Sequence, residues 1–200
     1  MRILVATMNA GKLREYERLL ADVPGLELET MASLADPVDV VEDRDTFRGN
    51  ALKKATEIAK VAGIPCLADD SGLEVDALGG RPGVYSARYA GEDASDAQNN
   101  AKLLDELSDT ADQQRTARFR CAIAVVDESG SELATVDGAC EGRIGREPRG
   151  THGFGYDPLF VPDGYTQTMA ELGPATKNQI SHRAQAAAKL VPFLRQLRTP

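Results

Sequence analysis

The feature that most constrains the fold is the way hydrophobic spacing changes along the first third of the chain. Residues 3–7 form a short apolar run with branched side chains, which is typical of a buried strand. Residues 26–30 form a second run of this kind. Between the two runs, apolar side chains recur at helical spacing, at Leu13, Tyr16, Leu19 and Leu20. Strand-like runs that alternate with helix-like segments predict a mixed α/β fold, with helices packed against a sheet.

Further elements are predicted before residue 73. Thr46 is a suitable N-cap for a long helix, which Gly63 and Pro65 would end. Residues 66–68 then indicate a short strand that stops at a run of polar and small residues, Asp69-Asp70-Ser71-Gly72. Residues 38–41 are a weaker strand candidate.

The second half of the chain has a more antiparallel pattern. A helix is predicted over residues 95–107, and residues 119–126 and 132–139 are expected to pair as a hairpin through a four-residue turn. Residues 156–161 are another strand candidate, and a closing helix is predicted from about Ser181. Because the sequence shows no repeat and no linker, all 200 residues are expected to form a single domain, or two lobes that share one cleft.

Composition excludes several classes of partner. The formal net charge of −8 at pH 7 argues against a nucleic-acid-binding surface, which needs a broad basic face. No apolar stretch is long enough for a membrane span, and the N-terminal run is too short for a signal peptide. The three cysteines are odd in number and widely spaced, which favours buried thiols in a reducing cytoplasm. A small polyanion such as a nucleotide is compatible with the acidic chain, since it needs only a few local cations.

Polar clusters at the ends of predicted strands carry the functional information. The first cluster lies between the first strand and the first helix and contains Thr7, Asn9, Gly11 and Lys12. Open N–H groups at the start of a helix, with a lysine beside them, are typical of a phosphate site. The segment is not a Walker loop, because it lacks the first glycine and the Ser or Thr that would follow the lysine. A capped turn with a surface lysine explains it equally well.

The second cluster is the carboxylate pair Asp69 and Asp70. Two adjacent acids at the end of an apolar strand need cations or hydrogen-bond donors if they are buried. A magnesium ion held by one or two carboxylates and by substrate phosphates would meet that need. Glu42 follows an apolar run in the same manner and could supply a second carboxylate to the same ion. The competing interpretation is a tight turn, in which Asp and Gly are favoured.

Two more clusters lie in the C-terminal third. Residues 150–158 interleave glycines with Phe154 and Tyr156, so that a ring can stack on a base, which contributes about 1–3 kcal/mol. A glycine-rich corner with its aromatic rings packed inward is the competing explanation. The last cluster places cations and donors near a predicted helix start, at Lys177, Ser181, His182 and Arg183. For Lys177 alone, a solvated helix face is the more ordinary explanation.

Together these clusters resemble the inosine triphosphate pyrophosphatase family, also called the XTP/dITP diphosphatases. The resemblance runs from Arg2 to about Leu197 and rests on six motifs in the order of the family. They are Thr7-x-Asn9-x-x-Lys12, Thr46-Phe47-x-x-Asn50-Ala51, Ala68-Asp69-Asp70-Ser71-Gly72-Leu73, Pro82-Gly83-Val84-Tyr85-Ser86-Ala87-Arg88, Gly153-Phe154-Gly155-Tyr156-Asp157-Pro158 and Ser181-His182-Arg183.

The resemblance implies a fold and a reaction. Members of the family have an elongated, two-lobed α/β fold around a mixed β-sheet with flanking helices, and the nucleotide binds in a central cleft. They are usually homodimers. With Mg²⁺ they cleave ITP, dITP and XTP between the α- and β-phosphates, in preference to ATP and GTP.

The resemblance also implies roles for individual residues. Asp70 would be the general base and a metal ligand, with Glu42 as the second metal carboxylate. If Asp70 filled both roles at once, neighbouring Asp69 or Glu42 would have to share the catalytic work. The triphosphate would be held by Thr7, Asn9, Lys12 and Ser71. The nucleotide site would be lined by Phe154, Gly155, Tyr156 and Asp157. Base and phosphate would also be contacted by Lys177, His182 and Arg183.

Two rival functions share part of this pattern. A related enzyme that hydrolyses modified pyrimidine triphosphates would have the acidic metal site, but it should lack the motifs at residues 153–158 and 181–183. A non-catalytic nucleotide sensor would bind phosphates, yet binding alone gains little from a carboxylate pair beside them. A purely structural protein would leave all four clusters unexplained.

Overall fold

The computed structural model describes residues 1–34 and 40–197. The strands in these ranges are β1 (Arg2–Val5), β2 (Glu27–Thr30), β3 (Cys66–Val75), β4 (Thr116–Val126), β5 (Glu132–Ile144) and β6 (Phe160–Pro162). The α-helices are α1 (Ala10–Leu19), α2 (Phe47–Ala62), α3 (Asp96–Glu106), α4 (Met169–Ile180) and α5 (His182–Gln196). The strands form one sheet in the order β2-β1-β3-β4-β5-β6.

Strand directions in the sheet are mixed. β1 pairs in parallel with both β2 and β3, whereas β5 and β6 are antiparallel. The predicted mixed α/β class, with helices flanking the sheet, is therefore confirmed. None of the described helices is both long enough and apolar enough to cross a membrane.

The chain divides into two compact units. The first contains Met1–Asp70, Cys121–Gly138 and the chain from Arg183 onward, and the second contains Ser71–Arg120 and Ala139–His182. Each unit has hydrophobic side chains packed into a core of its own. The expectation that the chain is one domain with two lobes stays a prediction.

In the first unit both faces of the sheet are buried, which explains the continuous apolar runs in its strands. Ile3 and Ile123 pack with residues of α1 and α5 on one face. Leu4 and Ala124 pack with residues of α2 on the other face. Since successive residues of a strand point to opposite faces, each strand contributes side chains to both layers.

The second unit has a core between the sheet, α3 and α4. Leu73 of β3 and Phe119 of β4 pack in one cluster with Leu103 of α3 and Met169 of α4. Phe160 of β6 belongs to the same cluster, and its ring meets that of Phe119 edge to face at 4.7 Å between centroids.

The helix predicted after Thr46 is confirmed as α2. The Thr46 hydroxyl accepts a hydrogen bond from the N–H of Gly49 at 3.0 Å, as an N-cap should. At the other end Gly63 has φ of 66°, a left-handed conformation that glycine adopts without a steric penalty. The predicted α3 is confirmed as well, with Ser95 as its N-cap.

The strand after Pro65 is longer than predicted. β3 has ten residues and continues through Asp69, Asp70, Ser71 and Gly72, so the tight-turn interpretation of this segment is wrong. Sheet pairing and tertiary partners for the two carboxylates outweigh the local turn preference of Asp and Gly.

The structure of the C-terminal third differs from the prediction at two places. The strand expected at residues 156–161 begins only at Phe160, because residues 156–159 form turns. Helix α4 was not predicted, since Gly173 and Pro174 interrupt its pattern. Gly173 has φ of 75° and ψ of 177°, which kinks the helix at this point.

The hairpin between β4 and β5 is confirmed, although its connection covers residues 127–131 and is one residue longer than predicted. Of the strand candidate at 38–41, residues 38 and 39 lie outside the described ranges, and Val40 and Val41 form no strand.

Replacing Thr46 by Ala is expected to lower the free energy of unfolding by about 1 kcal/mol, because the N–H of Gly49 loses its capping oxygen. Thr46→Ser keeps that oxygen and serves as the control. Urea unfolding followed by circular dichroism would measure both variants. Equal stabilities would contradict the capping role.

Candidate active site

The predicted carboxylate pair lies within β3, and the two side chains face opposite sides of the sheet. Asp69 shares a face with Leu67, which packs with α1 and α5, whereas Asp70 shares a face with Ala68, which packs with α2. Asp69 is 2% exposed and Asp70 is 5% exposed. Two adjacent buried acids therefore need two separate sets of partners.

On the side of α1 and α5, Asp69 belongs to a buried network of four charges. Its Oδ2 accepts a hydrogen bond from Nη2 of Arg183 at 3.0 Å and lies 3.2 Å from Nζ of Lys12. Arg183 is 1% exposed, and its Nη1 donates to Oε2 of Glu15 at 2.5 Å. The attraction between these two carboxylates and two cations offsets the cost of removing their charges from water.

The start of α1 is a capped turn. Oδ1 of Asn9 accepts hydrogen bonds from the N–H groups of Gly11 at 2.8 Å and of Lys12 at 3.1 Å. The Thr7 hydroxyl accepts one from the N–H of Asn9 at 3.1 Å. The predicted cap is therefore confirmed, and phosphate binding by this segment stays a prediction. Lys12 is not a surface lysine, however, because its ammonium group pairs with buried Asp69.

On the side of α2, Asp70 is held by a side-chain amide. Nδ2 of Asn50 donates to Oδ2 of Asp70 at 2.9 Å, and Oδ1 of the same amide accepts from the N–H of Arg44 at 2.8 Å. One amide thus links β3 to the segment that precedes α2. Burial raises the pKa of the Asp70 carboxyl to about 6, and the negative charge of Glu42 adds to the increase.

Two consecutive lysines of α2 hold the segment that carries Glu42. Lys54 forms an ion pair with Glu42, and its Nζ also donates to the carbonyl oxygen of Asp69 at 3.2 Å. Lys53 donates to the carbonyl oxygen of Val41 at 2.8 Å and to Oδ1 of Asp43 at 2.9 Å. Glu42 is thereby fixed on the same side of β3 as Asp70.

Asn50 and Lys54 received no role from the sequence alone, although a signal was present. They stand four residues apart in α2, so they share one face of the helix. Ala51, Ala55 and Ile58 on the buried part of α2 are apolar, as expected for packing against a sheet. Two polar residues at this spacing, next to the buried apolar face of the helix, indicate that this part of the helix faces a polar site.

Glu42 and Asp70 fit the requirements of a magnesium site. The charge of Glu42 contributes to the raised pKa of Asp70, so the carboxylates are close enough to repel each other. A hard divalent cation would relieve this repulsion and prefers carboxylate oxygens as ligands. Within residues 1–34 and 40–197, no group of three or more His, Cys, Asp and Glu side chains is placed to hold a metal ion. An ion at this pair would complete its coordination with water and phosphate oxygens.

A second group of predicted site residues lies in the second unit, around the glycine-rich loop. Nζ of Lys177 is 2.6 Å from Oδ2 of Asp157 and lies 4.3 Å from the centroid of the Phe154 ring. Asp157 Oδ2 also accepts a hydrogen bond from the N–H of Phe154 at 3.0 Å. Lys177 is only 5% exposed, so the solvated-face interpretation is wrong for this residue.

The loop needs glycine and packs one of its two rings inward. A Cβ atom at Gly153, where φ is 84°, would lie 2.0 Å from Oδ2 of Asp157, so a side chain there would displace the carboxylate. Tyr156 is 4% exposed, and its hydroxyl donates to the carbonyl oxygen of Ser86 at 2.9 Å. Phe154 is half-buried. The inward-packed interpretation therefore describes Tyr156, and Phe154 keeps part of its ring accessible.

The remaining predicted site residues of the second unit are Ser71, Ser181 and His182. His182 is 5% exposed, and its ring stacks on that of Phe119 with 4.8 Å between centroids. The N–H of Ser181 donates to the carbonyl oxygen of Lys177 and ends α4. Ser71 is half-buried in β3. The contacts of these three residues with a nucleotide stay predictions.

Glu15→Gln is expected to lower the free energy of unfolding by about 3 kcal/mol, because it removes one of the two carboxylates that neutralise buried Arg183. Urea unfolding measures the loss. The matched control is Glu17→Gln, which changes an exposed glutamate of the same helix. If both variants were as stable as the parent chain, the four-charge network would not contribute to stability.

Comparison with known proteins identifies the family. A model of the Ham1 family matches residues 3–193. The chain is 53% identical to the dITP/XTP pyrophosphatase of Geobacillus kaustophilus over 188 residues, which are 94% of this chain and 91% of that protein. It is 48% identical to the dITP/XTP pyrophosphatase of Bacillus subtilis over 191 residues, which are 96% of each chain.

Solved structures agree with the sequence relatives. A HAM1 protein from Coxiella burnetii has a TM-score of 0.88 and 42% identity, covering 98% of this chain and 99% of that one. A nucleoside-triphosphatase, or dITP/XTP pyrophosphatase, from Mycobacterium abscessus has a TM-score of 0.77 and 48% identity, covering 98% of this chain and all of that one. The family resemblance drawn from the six motifs is thereby confirmed, and the chain belongs to the Ham1 family.

Proposed function

We propose that this protein hydrolyses the nonstandard purine nucleotides ITP, dITP and XTP to the nucleoside monophosphate and pyrophosphate. The observation that carries the proposal is 48–53% identity to dITP/XTP pyrophosphatases over nearly the whole chain. The site in the first unit supports it, because buried Asp70 beside Glu42 suits hydrolysis assisted by a divalent cation.

Magnesium belongs to this proposal, with Glu42 and Asp70 as its protein ligands. When bound, the ion neutralises charge on the phosphate oxygens and on the leaving pyrophosphate. The chain's own contribution is to hold these carboxylates in place. Lys54 pairs with Glu42, and Asn50 donates a hydrogen bond to Asp70.

The reaction needs a water molecule, a proton acceptor and cations around the phosphates. Water forms a new bond to phosphorus, the bond between the α- and β-phosphates breaks, and pyrophosphate leaves. Asp70 accepts the proton of the water, a type of assistance that typically contributes about 10²–10⁴-fold. Lys12 contributes positive charge to triphosphate binding, and the polar partners assigned with it are Thr7, Asn9 and Ser71.

Asp69 and Arg183 support this arrangement from the opposite face of β3. Nε and Nη2 of Arg183 donate to Asp69, and Nη1 donates to Glu15. Asp69 also pairs with Lys12 and so determines where that ammonium group lies. We therefore assign Asp69 and Arg183 to the positioning of Lys12 rather than to proton transfer or base contact.

Recognition of the base is assigned to the second unit. The half-buried ring of Phe154 offers a face on which a purine can stack, and Gly155, Tyr156, Asp157 and Lys177 hold that ring in its loop. Donors on His182 or on the loop backbone would bind the O6 acceptor of hypoxanthine and xanthine. Adenine has an amino group at that position and would leave such donors unpaired. Sites built on this contrast discriminate by up to about 10⁴–10⁵-fold.

Two further properties are part of the proposal, namely a homodimeric assembly and a cytoplasmic location. The family resemblance supports the homodimer. Cys66, Cys121 and Cys140 are buried and form no disulfide, which suits a reducing compartment.

The proposal is tested by measuring pyrophosphate and orthophosphate release, with magnesium, from ITP, dITP, XTP, GTP, ATP and dTTP. We expect pyrophosphate from the inosine and xanthine nucleotides and little from ATP. Orthophosphate in its place would move the cleavage to another bond. Preference for dTTP would favour the pyrimidine enzyme, and tight binding without turnover would favour the sensor.

Asp70→Asn is expected to reduce turnover of ITP by about 10²–10⁴-fold, because the amide can neither accept the proton nor hold the cation as the carboxylate does. The amide oxygen can still accept the hydrogen bond from Asn50, so the variant should fold. Asp105→Asn, which changes an exposed acid of α3, controls for the loss of a charge. Substantial activity in Asp70→Asn would overturn the assignment.

A further inference from the structure

The first turns of α3 hold Gly155 of the glycine-rich loop through the two peptide groups that flank its Cα atom. Oδ2 of Asp96 accepts a hydrogen bond from the N–H of Gly155 at 2.6 Å. Nδ2 of Asn100 donates to the carbonyl oxygen of the same glycine at 2.9 Å. Asp96 and Asn100 stand four residues apart and so lie on one face of the helix. We call this pair of bonds the α3–Gly155 contact.

The contact supplies hydrogen bonds that the loop itself does not provide. Gly155 has φ of 61°, which is a left-handed conformation within a turn. Among the described residues, neither its N–H nor its carbonyl oxygen bonds to another backbone group. Asp96 therefore orients the peptide group that joins Phe154 to Gly155, and Asn100 orients the one that joins Gly155 to Tyr156.

Gly155 stands between Phe154, which is proposed to stack on the base, and Asp157, which pairs with Lys177. Phe154 precedes Gly155, and its N–H donates to Asp157 Oδ2. The same oxygen pairs with Lys177, whose ammonium group lies 4.3 Å from the centroid of the Phe154 ring. A rotation of the peptide groups on either side of Gly155 would therefore displace the Phe154 ring relative to the buried Asp157–Lys177 pair.

Asn100 places a polar side chain in a buried position at a cost to the free energy of folding. The residue is 7% exposed, and no group in residues 1–34 or 40–197 hydrogen-bonds to its Oδ1. A buried amide oxygen without a partner opposes folding, and a leucine of similar volume would avoid that cost. What asparagine contributes at this position, and leucine could not, is the bond to the Gly155 carbonyl oxygen.

We propose that Asp96 and Asn100 are positioning residues, which orient the Phe154 ring for stacking on the purine through the α3–Gly155 contact. The proposal rests on the function proposed above and deepens it. Neither residue reaches the reacting phosphates in this account. Their loss should therefore weaken substrate binding and leave the chemical step largely intact.

Steady-state kinetics with ITP and magnesium test the split between binding and chemistry. Asp96→Ala and Asn100→Leu are each expected to raise KM about fivefold to tenfold, the equivalent of one hydrogen bond, with kcat changed less than about twofold. Asp96→Asn retains an acceptor oxygen and should raise KM less than Asp96→Ala. Asp105→Ala, on the exposed side of the same helix, is the matched control and should match the parent chain. Unchanged KM in both Asp96→Ala and Asn100→Leu would overturn the proposal.

A second readout does not depend on turnover. The chain contains no tryptophan, so Phe154→Trp introduces a single indole at the loop position in question. Adding Asp96→Ala to this variant should lower the fluorescence anisotropy of the indole, because Gly155 loses one of its two hydrogen bonds to α3. Adding Asp105→Ala should not. Asp96 is exposed, so its replacement should leave the fold intact.

The two readouts separate the positioning proposal from the proposed function. Lowered anisotropy together with no hydrolysis of ITP by the parent chain would support the positioning role and overturn the function. Hydrolysis of ITP with both KM and anisotropy unchanged in Asp96→Ala would support the function and overturn the positioning role.

Discussion

The structure depends on the alternation of side chains along β3. Asp69 and Asp70 are neighbours in a buried strand, so one points to the layer of α1 and α5 and the other to the layer of α2. Neither acid can serve the other as a partner, and each must be compensated from its own layer. The buried and half-buried polar residues around the two acids follow from this constraint. Arg183, Lys12 and Glu15 lie on one face, and Asn50 and Lys54 lie on the other.

The two layers give the adjacent acids different chemistry. Asp69 is held by two cations and is best described as the counter-ion that fixes Lys12. Asp70 accepts a hydrogen bond from a neutral amide and lies near a second carboxylate, an environment that favours binding a cation. The second unit also has a buried ion pair next to residues assigned to binding. Asp157 and Lys177 form this pair and hold the loop that carries Phe154.

Much of the fold could be predicted where local chemistry decides it. Thr46 and Gly63 bound α2 as their capping preferences require, and Ser95 does the same for α3. Prediction from the sequence failed where tertiary contacts decide the secondary structure. Asp69 to Gly72 have turn-forming composition, yet they continue β3. Gly173 and Pro174 concealed α4, which is helical on both sides of a kink.

The sequence predicted which residues belong to the candidate site better than it predicted which of them contact one another. Motif order placed Asp69, Asp70 and Lys12 in one site, and the structure pairs Lys12 with Asp69, while the charge of Lys12 also acts to lower the pKa of Asp70. Glu15 was missed because a glutamate on a helix is ordinarily a solvated residue, and only the buried guanidinium of Arg183 gives it a role. Asn50 and Lys54 were missed for a related reason, since their partners lie on a strand that is separated from them in sequence.

The most direct test of this account compares the free energies of unfolding of Asp69→Asn and Asp70→Asn in urea. Asp69→Asn leaves Arg183 and Lys12 without their shared carboxylate, and we expect a loss of about 3 kcal/mol. Asp70→Asn keeps its hydrogen bond with Asn50 and removes a buried charge, so its stability should equal or exceed that of the parent chain. Equal destabilisation by both substitutions would contradict the claim that alternation along β3 gives the two acids different roles.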